Sequence, residues 1–179
     1  CRPITLVNYN KNSHQGGKLV PDIEAIGHQL KEVLKNSGVD YIEAHLEQSQ
    51  ASHITYRGKE VESIGKTTST GGNVRALVKG GWGFVSFNDL EDLPDRVKLA
   101  IKQARFVSNQ ESKLASVEPV VDIVASETDK NPVTIPLVKK KQLLDEYNDV
   151  IWRTSGIQTS FVSYGDGHKK VIFTNSLGS

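Results

Sequence analysis

The chain has 179 residues, of which 37% are hydrophobic and 24% charged, with a formal net charge of +1. That length serves one substantial domain or two small ones, able to bury roughly 70% of the unfolded surface without staples, and the near-neutral charge leaves no basic footprint for nucleic acid. No apolar run reaches the roughly 18–20 residues that span a bilayer, no signal-peptide pattern opens the chain, and the single cysteine, Cys1, excludes an internal disulfide and fits a reducing, cytoplasmic setting.

Residues 1–21 are rich in Asn, Ser and Gly and read as a lead that is mostly loop, with a short apolar patch from Ile4 to Val7 that could pair as an edge strand. Cys1 as a nucleophile would need a positioned base, and as a lipidated terminus it would need an upstream processing sequence; the chain supplies neither. Pro21-Asp22 then opens a helix in which Ile23, Ile26, Leu30, Val33 and Leu34 share one face, ending at Ser37-Gly38. Gly27 inside that helix costs about 1 kcal/mol relative to alanine and marks a close packing contact.

At Tyr41 the period changes to two. Ile42, Ala44 and Leu46 alternate with Glu43, His45 and Glu47, a half-solvated strand. Short strands are expected at His53–Tyr56 and Glu60–Ile64 around the turn Arg57-Gly58-Lys59. A further hairpin follows at Thr70–Asp89, where Val74, Ala76 and Val78 alternate with Arg75 and Leu77, Gly80-Gly81 interrupts, and Trp82, Phe84, Val85 and Phe87 resume an apolar-rich run. Gly81 and Gly83 would let the Trp82 indole lie against backbone, which makes Trp82 a structural anchor in the hairpin. Asp89–Asp92 offers N-caps for a helix carrying Leu93, Val97, Ala100, Ile101, Ala104 and Val107 at helical spacing.

Residues 109–135 read as a connector with one candidate strand at Val120–Ala125. Pro136 is placed as the first residue of a helix that carries Leu137, Leu143, Leu144, Tyr147, Val150 and Ile151 to about Arg153. Lys139-Lys140-Lys141, in its first turns, reads as a solvated face. Thr159–Tyr164 and Lys169–Thr174 then form a hairpin across Gly165-Asp166-Gly167. The expected fold class is α+β, a mostly antiparallel sheet flanked by helices: a helix–strands–helix unit over 22–108, then a second helix-plus-hairpin unit over 136–179. That second unit looks incomplete, because the apolar run Val171–Phe173 leads into the turn-like Asn175–Ser179 where another strand is expected. The absence of any methionine points the same way, to a fragment of a longer polypeptide.

No catalytic constellation emerges. His14, His28, His45, His53 and His168 lie without acidic partners at metal-ligand spacing; His45 and His53 could face each other on adjacent strands, a pairing that sheets produce without chemistry. Gly80-Gly81-Trp82-Gly83 joins two strands where a phosphate loop would open a helix, and no nucleophile elbow occurs. Tyr164-Gly165-Asp166-Gly167-His168 sets an acid beside a base, but its glycines favour a turn. No residue is assigned a catalytic, cofactor-binding or metal-binding role.

Four runs nevertheless occur together in order: Asp40–Glu47, Ile54–Ser63, Gly71–Val78 and Gly81–Leu90. With Ile135-Pro136-Leu137, Ser155-Gly156-Ile157 and Phe173–Gly178 behind them, this collinear set resembles the N-terminal region of the TldD/PmbA family over residues 22–179. The Trp82-Gly83-Phe84 form is closer to the TldD side than to the PmbA (TldE) side. The resemblance implies a parent metal-dependent peptidase with zinc as its cofactor, a peptide substrate, and a homologous subunit as partner, whether in a homodimer or a heterodimer. The family's His-Glu-x-x-x-His motif and later cysteine ligand match no position in this sequence, so the chain by itself is expected to be noncatalytic, serving substrate enclosure and subunit assembly. The alternative is a noncatalytic PmbA-like partner subunit or a stand-alone interaction module.

Overall fold

The computed structural model describes residues 22–112, 114–126 and 128–179; the edge strand expected near Ile4–Val7 falls outside the described residues. The element order is α1 (Ile23–Lys35), β1 (Tyr41–Arg57), β2 (Glu60–Val78), β3 (Gly81–Phe87), α2 (Leu93–Phe106), a 3-10 turn (Pro132–Thr134), α3 (Leu137–Trp152) and β4 (Phe161–Asn175). The strands form one antiparallel sheet in the order β3-β2-β1-β4, and with the three helices make the expected α+β architecture.

Three expectations change. The strands foreseen as short are long: β1 runs 17 residues without a break and β2 runs 19. The hairpin expected across Gly165-Asp166-Gly167 does not exist, because β4 is a single strand of 15 residues. Neither glycine has positive φ, so both take ordinary extended backbone, and the strand pairing with β1 prevails over local turn propensity. Val120–Ala125 forms no strand; its valines and isoleucine stand open to solvent. A smaller shift concerns α3, where Pro136 is the cap, with extended ψ of 138°, and Leu137 is the first helical residue.

The chain divides into two units. Unit 1 comprises the described residues up to Gln48 together with Thr70–Val124 and Val171–Ser179. Here α1 is capped by Asp22, whose carboxylate accepts from the N–H groups of Glu24 and Ala25 at 3.0 and 3.3 Å, worth about 1 kcal/mol. Its buried residues Ile23, Gly27, Leu30 and Leu34 lie on one face. A Cβ at Gly27 would stand 2.7 Å from the Ile172 side chain, which explains the glycine within the helix. The α1 leucines, Ile42, Ala44 and Leu46 of β1, Val74 and Ala76 of β2, Val85 and Phe87 of β3, and Leu93, Val97, Ala100 and Ala104 of α2 make one continuous apolar core.

The β2–β3 hairpin turns at Lys79-Gly80, with φ of 44° and 77°, and Val78 pairs with Gly81. Two consecutive positive φ values are the geometry that favours glycine in a two-residue hairpin loop. Along β3 the odd residues Gly81, Gly83, Val85 and Phe87 face the core while Trp82, Phe84 and Ser86 face away. Gly83 is glycine because α2 crosses directly over it: a Cβ there would lie 1.9 Å from the Ala100 carbonyl oxygen. The close approach is therefore made by the helix backbone, and Trp82 lies on the opposite face, 40% exposed.

Unit 2 comprises Ser49–Ser69 and Ala125–Lys170. Its apolar core is small: Ile54 and Tyr56 of β1 and Leu144 of α3, with Val61, Leu137, Val162 and Tyr164 packed against them. The β1–β2 turn at Gly58, φ 63°, is tied down by the Gly58 N–H donating to the Ser160 carbonyl at 2.8 Å.

Candidate functional site

Two constellations of polar side chains stand out, one in each unit. In unit 2, α3 directs Lys140 inward, and with only 3% of its surface exposed it is no part of a solvated face. Its ammonium donates to Asp166 Oδ2 at 2.6 Å and to Ser52 Oγ at 2.7 Å. Ser52 in turn donates to Asp166 Oδ1 at 2.8 Å, and the Tyr164 hydroxyl donates to Oδ2 at 2.5 Å. Burial pushes the Asp166 carboxyl up, but the hydrogen bonds from Lys140, Tyr164 and Ser52 outweigh it, and the net position is below the ordinary carboxylate range. The bond to Asp166, helped by burial, pushes the Tyr164 phenol up to about 12.

Next along α3, Lys141 pairs with Asp145 at 2.8 Å, one helical turn on, and Asp145 also accepts from the Tyr56 hydroxyl. The Lys141 hydrogen bond, then that of Tyr56, hold the Asp145 carboxyl below its usual range. Burial and then the bond to Asp145 raise the Tyr56 phenol.

A serine beside a lysine invites a nucleophile-and-base reading, but the geometry opposes it. The Ser52 proton is given to a carboxylate already held in an ion pair, and Ser52 is 4% exposed, out of a substrate's reach. Asp166 thus belongs to a closed structural network rather than to an acid/base pair with His168, which follows it on β4.

In unit 1 the outward face of the sheet carries Tyr41, Glu43, Arg75 and Trp82. The Arg75 guanidinium bridges Glu43 at 2.8 Å and lies 4.6 Å from the centre of the Trp82 ring, which meets Tyr41 edge-on at 6.2 Å. Burial and then the hydrogen bond to Glu43 push the Tyr41 phenol up to about 12. Arg75 fills the space beside the indole, so the group is a satisfied surface cluster.

The histidines do not converge. His45 and His53 sit on the same strand, β1, eight residues apart, so the expected cross-strand pair does not form; His53 Nε2 instead meets Ser63 Oγ at 2.9 Å. His28 lies on α1 and His168 on β4. A zinc site needs three or four converging donors, and among the described residues no group of three or more His, Cys, Asp or Glu side chains comes together. The described residues therefore do not fit a zinc ion. No helix among them is long and apolar enough to cross a membrane.

Sequence reasoning singled out Asp166 and Lys140 but put the first in a turn and the second in solvent. The signal that would have joined them is the alternation Val162, Tyr164, Asp166, His168, which continues through both glycines at the period of one strand.

Residues 43–108 match the family model for PmbA/TldA metallopeptidase domain 1. A metalloprotease of Synechocystis sp. is 39% identical over 145 residues, covering 80% of this chain and 31% of that protein. A metalloprotease of Methanocaldococcus jannaschii is 29% identical over 147 residues, covering 78% and 32%. The chain thus spans about a third of the length of the curated relatives it matches. Among solved structures, TldE from Thermococcus kodakarensis superposes with a TM-score of 0.69 at 13% identity, over 84% of this chain and 35% of that one. A Thermotoga maritima protein solved as a candidate modulator of a DNA gyrase gives 0.68 at 16% identity, over 88% and 36%. These structural likenesses establish the fold; with the family match and the curated relatives, residues 43–108 are the first domain of the PmbA/TldD metallopeptidase family, and the chain is similar to metalloproteases of that family beyond those bounds.

Proposed function

We propose that this chain is the N-terminal scaffold of a TldD-like zinc-dependent peptidase, with 22–108 as its first domain, noncatalytic by itself and serving substrate enclosure and subunit assembly. The observation that carries the reading is the collinear 39% identity to the Synechocystis metalloprotease, confined to 31% of that protein's length. What the described residues contribute is an α+β support in which the buried Lys140, Asp166 and Ser52 are engaged with one another rather than aimed at a substrate.

The test is direct. The full polypeptide is purified, its zinc content measured, and cleavage of an unstructured peptide followed with and without a chelator. Metal-dependent cleavage by the full polypeptide, absent from residues 22–179 alone, is expected. Absence of both metal and cleavage from the full polypeptide overturns the enzymatic part and leaves the PmbA-like partner subunit.

A further inference from the structure

An apolar groove lies open on unit 1. It lies along the outer side of α2 beside the edge strand β3, and is lined by Trp82, Leu99, Lys102, Gln103, Arg105, Phe106 and Val107, with a volume of about 640 Å3. Phe106 is 91% exposed, an unusual position for a phenylalanine at the end of a helix whose other face is fully packed. Leu99, Val107 and Trp82 are each about half exposed, and Phe84 continues the apolar surface along β3. A contiguous apolar patch with a polar rim marks a contact surface more often than scattered exposed side chains do.

The rim has one sign of charge. Lys102 and Arg105 are the charged residues lining the groove, and no described acidic side chain pairs with either; the one α2 ion pair nearby joins Lys98 to Asp95. The edge of β3 is also guarded, because the Phe84 N–H, on the unpaired side, donates to the Gln103 side chain at 3.1 Å. An added strand would have to break that bond, whereas a helix laid in the groove would not.

We propose that this groove is a docking site for an acidic amphipathic helix of a partner protein. Its apolar stripe seats against Leu99, Phe106 and Trp82, and its carboxylates meet Lys102 and Arg105. The volume suits a few apolar side chains from successive turns.

The test uses the full polypeptide and a fluorescent peptide of about 14 residues, long enough for about four helical turns, with leucines at i, i+3, i+4 and i+7 and glutamates flanking them. Anisotropy should show micromolar binding that weakens with salt. Lys102→Glu with Arg105→Glu should weaken it roughly tenfold or more, as expected when rim charges are reversed, and Phe106→Ser should abolish it. Leu99→Gln provides a second apolar probe, and unchanged circular dichroism in each variant keeps the result separate from unfolding. Equal binding of a lysine-for-glutamate peptide, binding to phosphatidylserine vesicles in place of the peptide, or no peptide binding because the rest of the polypeptide covers the groove would each overturn the proposal.

Discussion

Unit 1 and unit 2 draw on the same long strands but are held by different chemistry. In unit 1, thirteen buried apolar residues form one core, and the buried polar Thr174 and Asn175 serve the turn at 176–179. In unit 2, three buried apolar residues share the interior with Lys140, Asp166, Ser52 and Asn148. An apolar core tolerates shape-conserving change and loses stability in proportion to the volume removed. A buried ion network gives little net stability over an apolar substitute, yet breaking it from one side is severe, because the remaining charge stays buried without its partner. The contrast suggests that unit 1 supplies stability and unit 2 depends on completeness.

The largest effect expected from that contrast is at Asp166. Asp166→Ala strips Lys140 of its carboxylate and should cost about 3–5 kcal/mol, measured by urea unfolding. A loss below about 1 kcal/mol would show that water reaches the cluster and that the interior is not closed. In unit 1 the comparable weak point is steric: Gly83→Ala places a methyl 1.9 Å from the Ala100 carbonyl and should cost about 3 kcal/mol by pushing α2 off the sheet. Gly165→Ala is the control on β4, where nothing lies within 4 Å of the added methyl, and thermal melting should show almost no change.

Acid separates the units without mutation. Asp166 and Asp145 have folded-state values below the ordinary carboxylate value. Their stabilisation is therefore complete above about pH 4, the ordinary value of an unfolded aspartate, and is lost as pH falls through the lowered folded values. Hydrogen exchange during acidification should open the 161–170 stretch of β4 before β3; simultaneous opening would mean that one cooperative unfolding governs both. Apart from the Gly165→Ala control, the smallest loss is expected at Trp82. A buried indole replaced by alanine would cost about 3–5 kcal/mol, but this one is 40% exposed and packs on Arg75 and Tyr41, so Trp82→Ala should cost about 1–2 kcal/mol.

What the sequence disclosed follows the same division. Where one apolar core sets the pattern, as in α1, the β2–β3 hairpin and α2, period and punctuation were legible, because burial enforces them, though the turn falls at Lys79-Gly80, one residue before the Gly80-Gly81 interruption. Strand length was not. Gln48-Ser49-Gln50 and Lys66–Ser69 are polar stretches where β1 and β2 pass from one unit to the other, and without an apolar core to line they resemble loops. Turn residues misled for a related reason, since glycine permits positive φ without requiring it, and Gly165 and Gly167 use extended backbone. α3 misled most. Its lysine run was expected to be a solvated face, yet Lys140 is buried together with Asn148 while the apolar Leu143, Tyr147 and Val150 are exposed; a charge run predicts exposure only when no buried partner awaits it.

Family membership was legible because it rests on the order of several short runs rather than on any one contact. The candidate site was not, since the groups with perturbed titration described above serve unit 2's interior or, for Tyr41, a satisfied cluster on unit 1, and the family's metal motif matches no position here.

The most direct test of the account is a double-mutant cycle on Lys140 and Asp166, using Lys140→Met, Asp166→Asn and the pair together. The amide introduced by Asp166→Asn keeps one acceptor oxygen, for either Ser52 or Tyr164, and removes the charge, while methionine fills the space of the lysine stem. Each single variant should cost about 2 kcal/mol or more and the double variant should recover to within about 1 kcal/mol of the parent, a coupling of about 3 kcal/mol or more. Additive losses, with a double variant as unstable as the sum of the singles, would contradict the claim that unit 2 is locked by a closed ionic network.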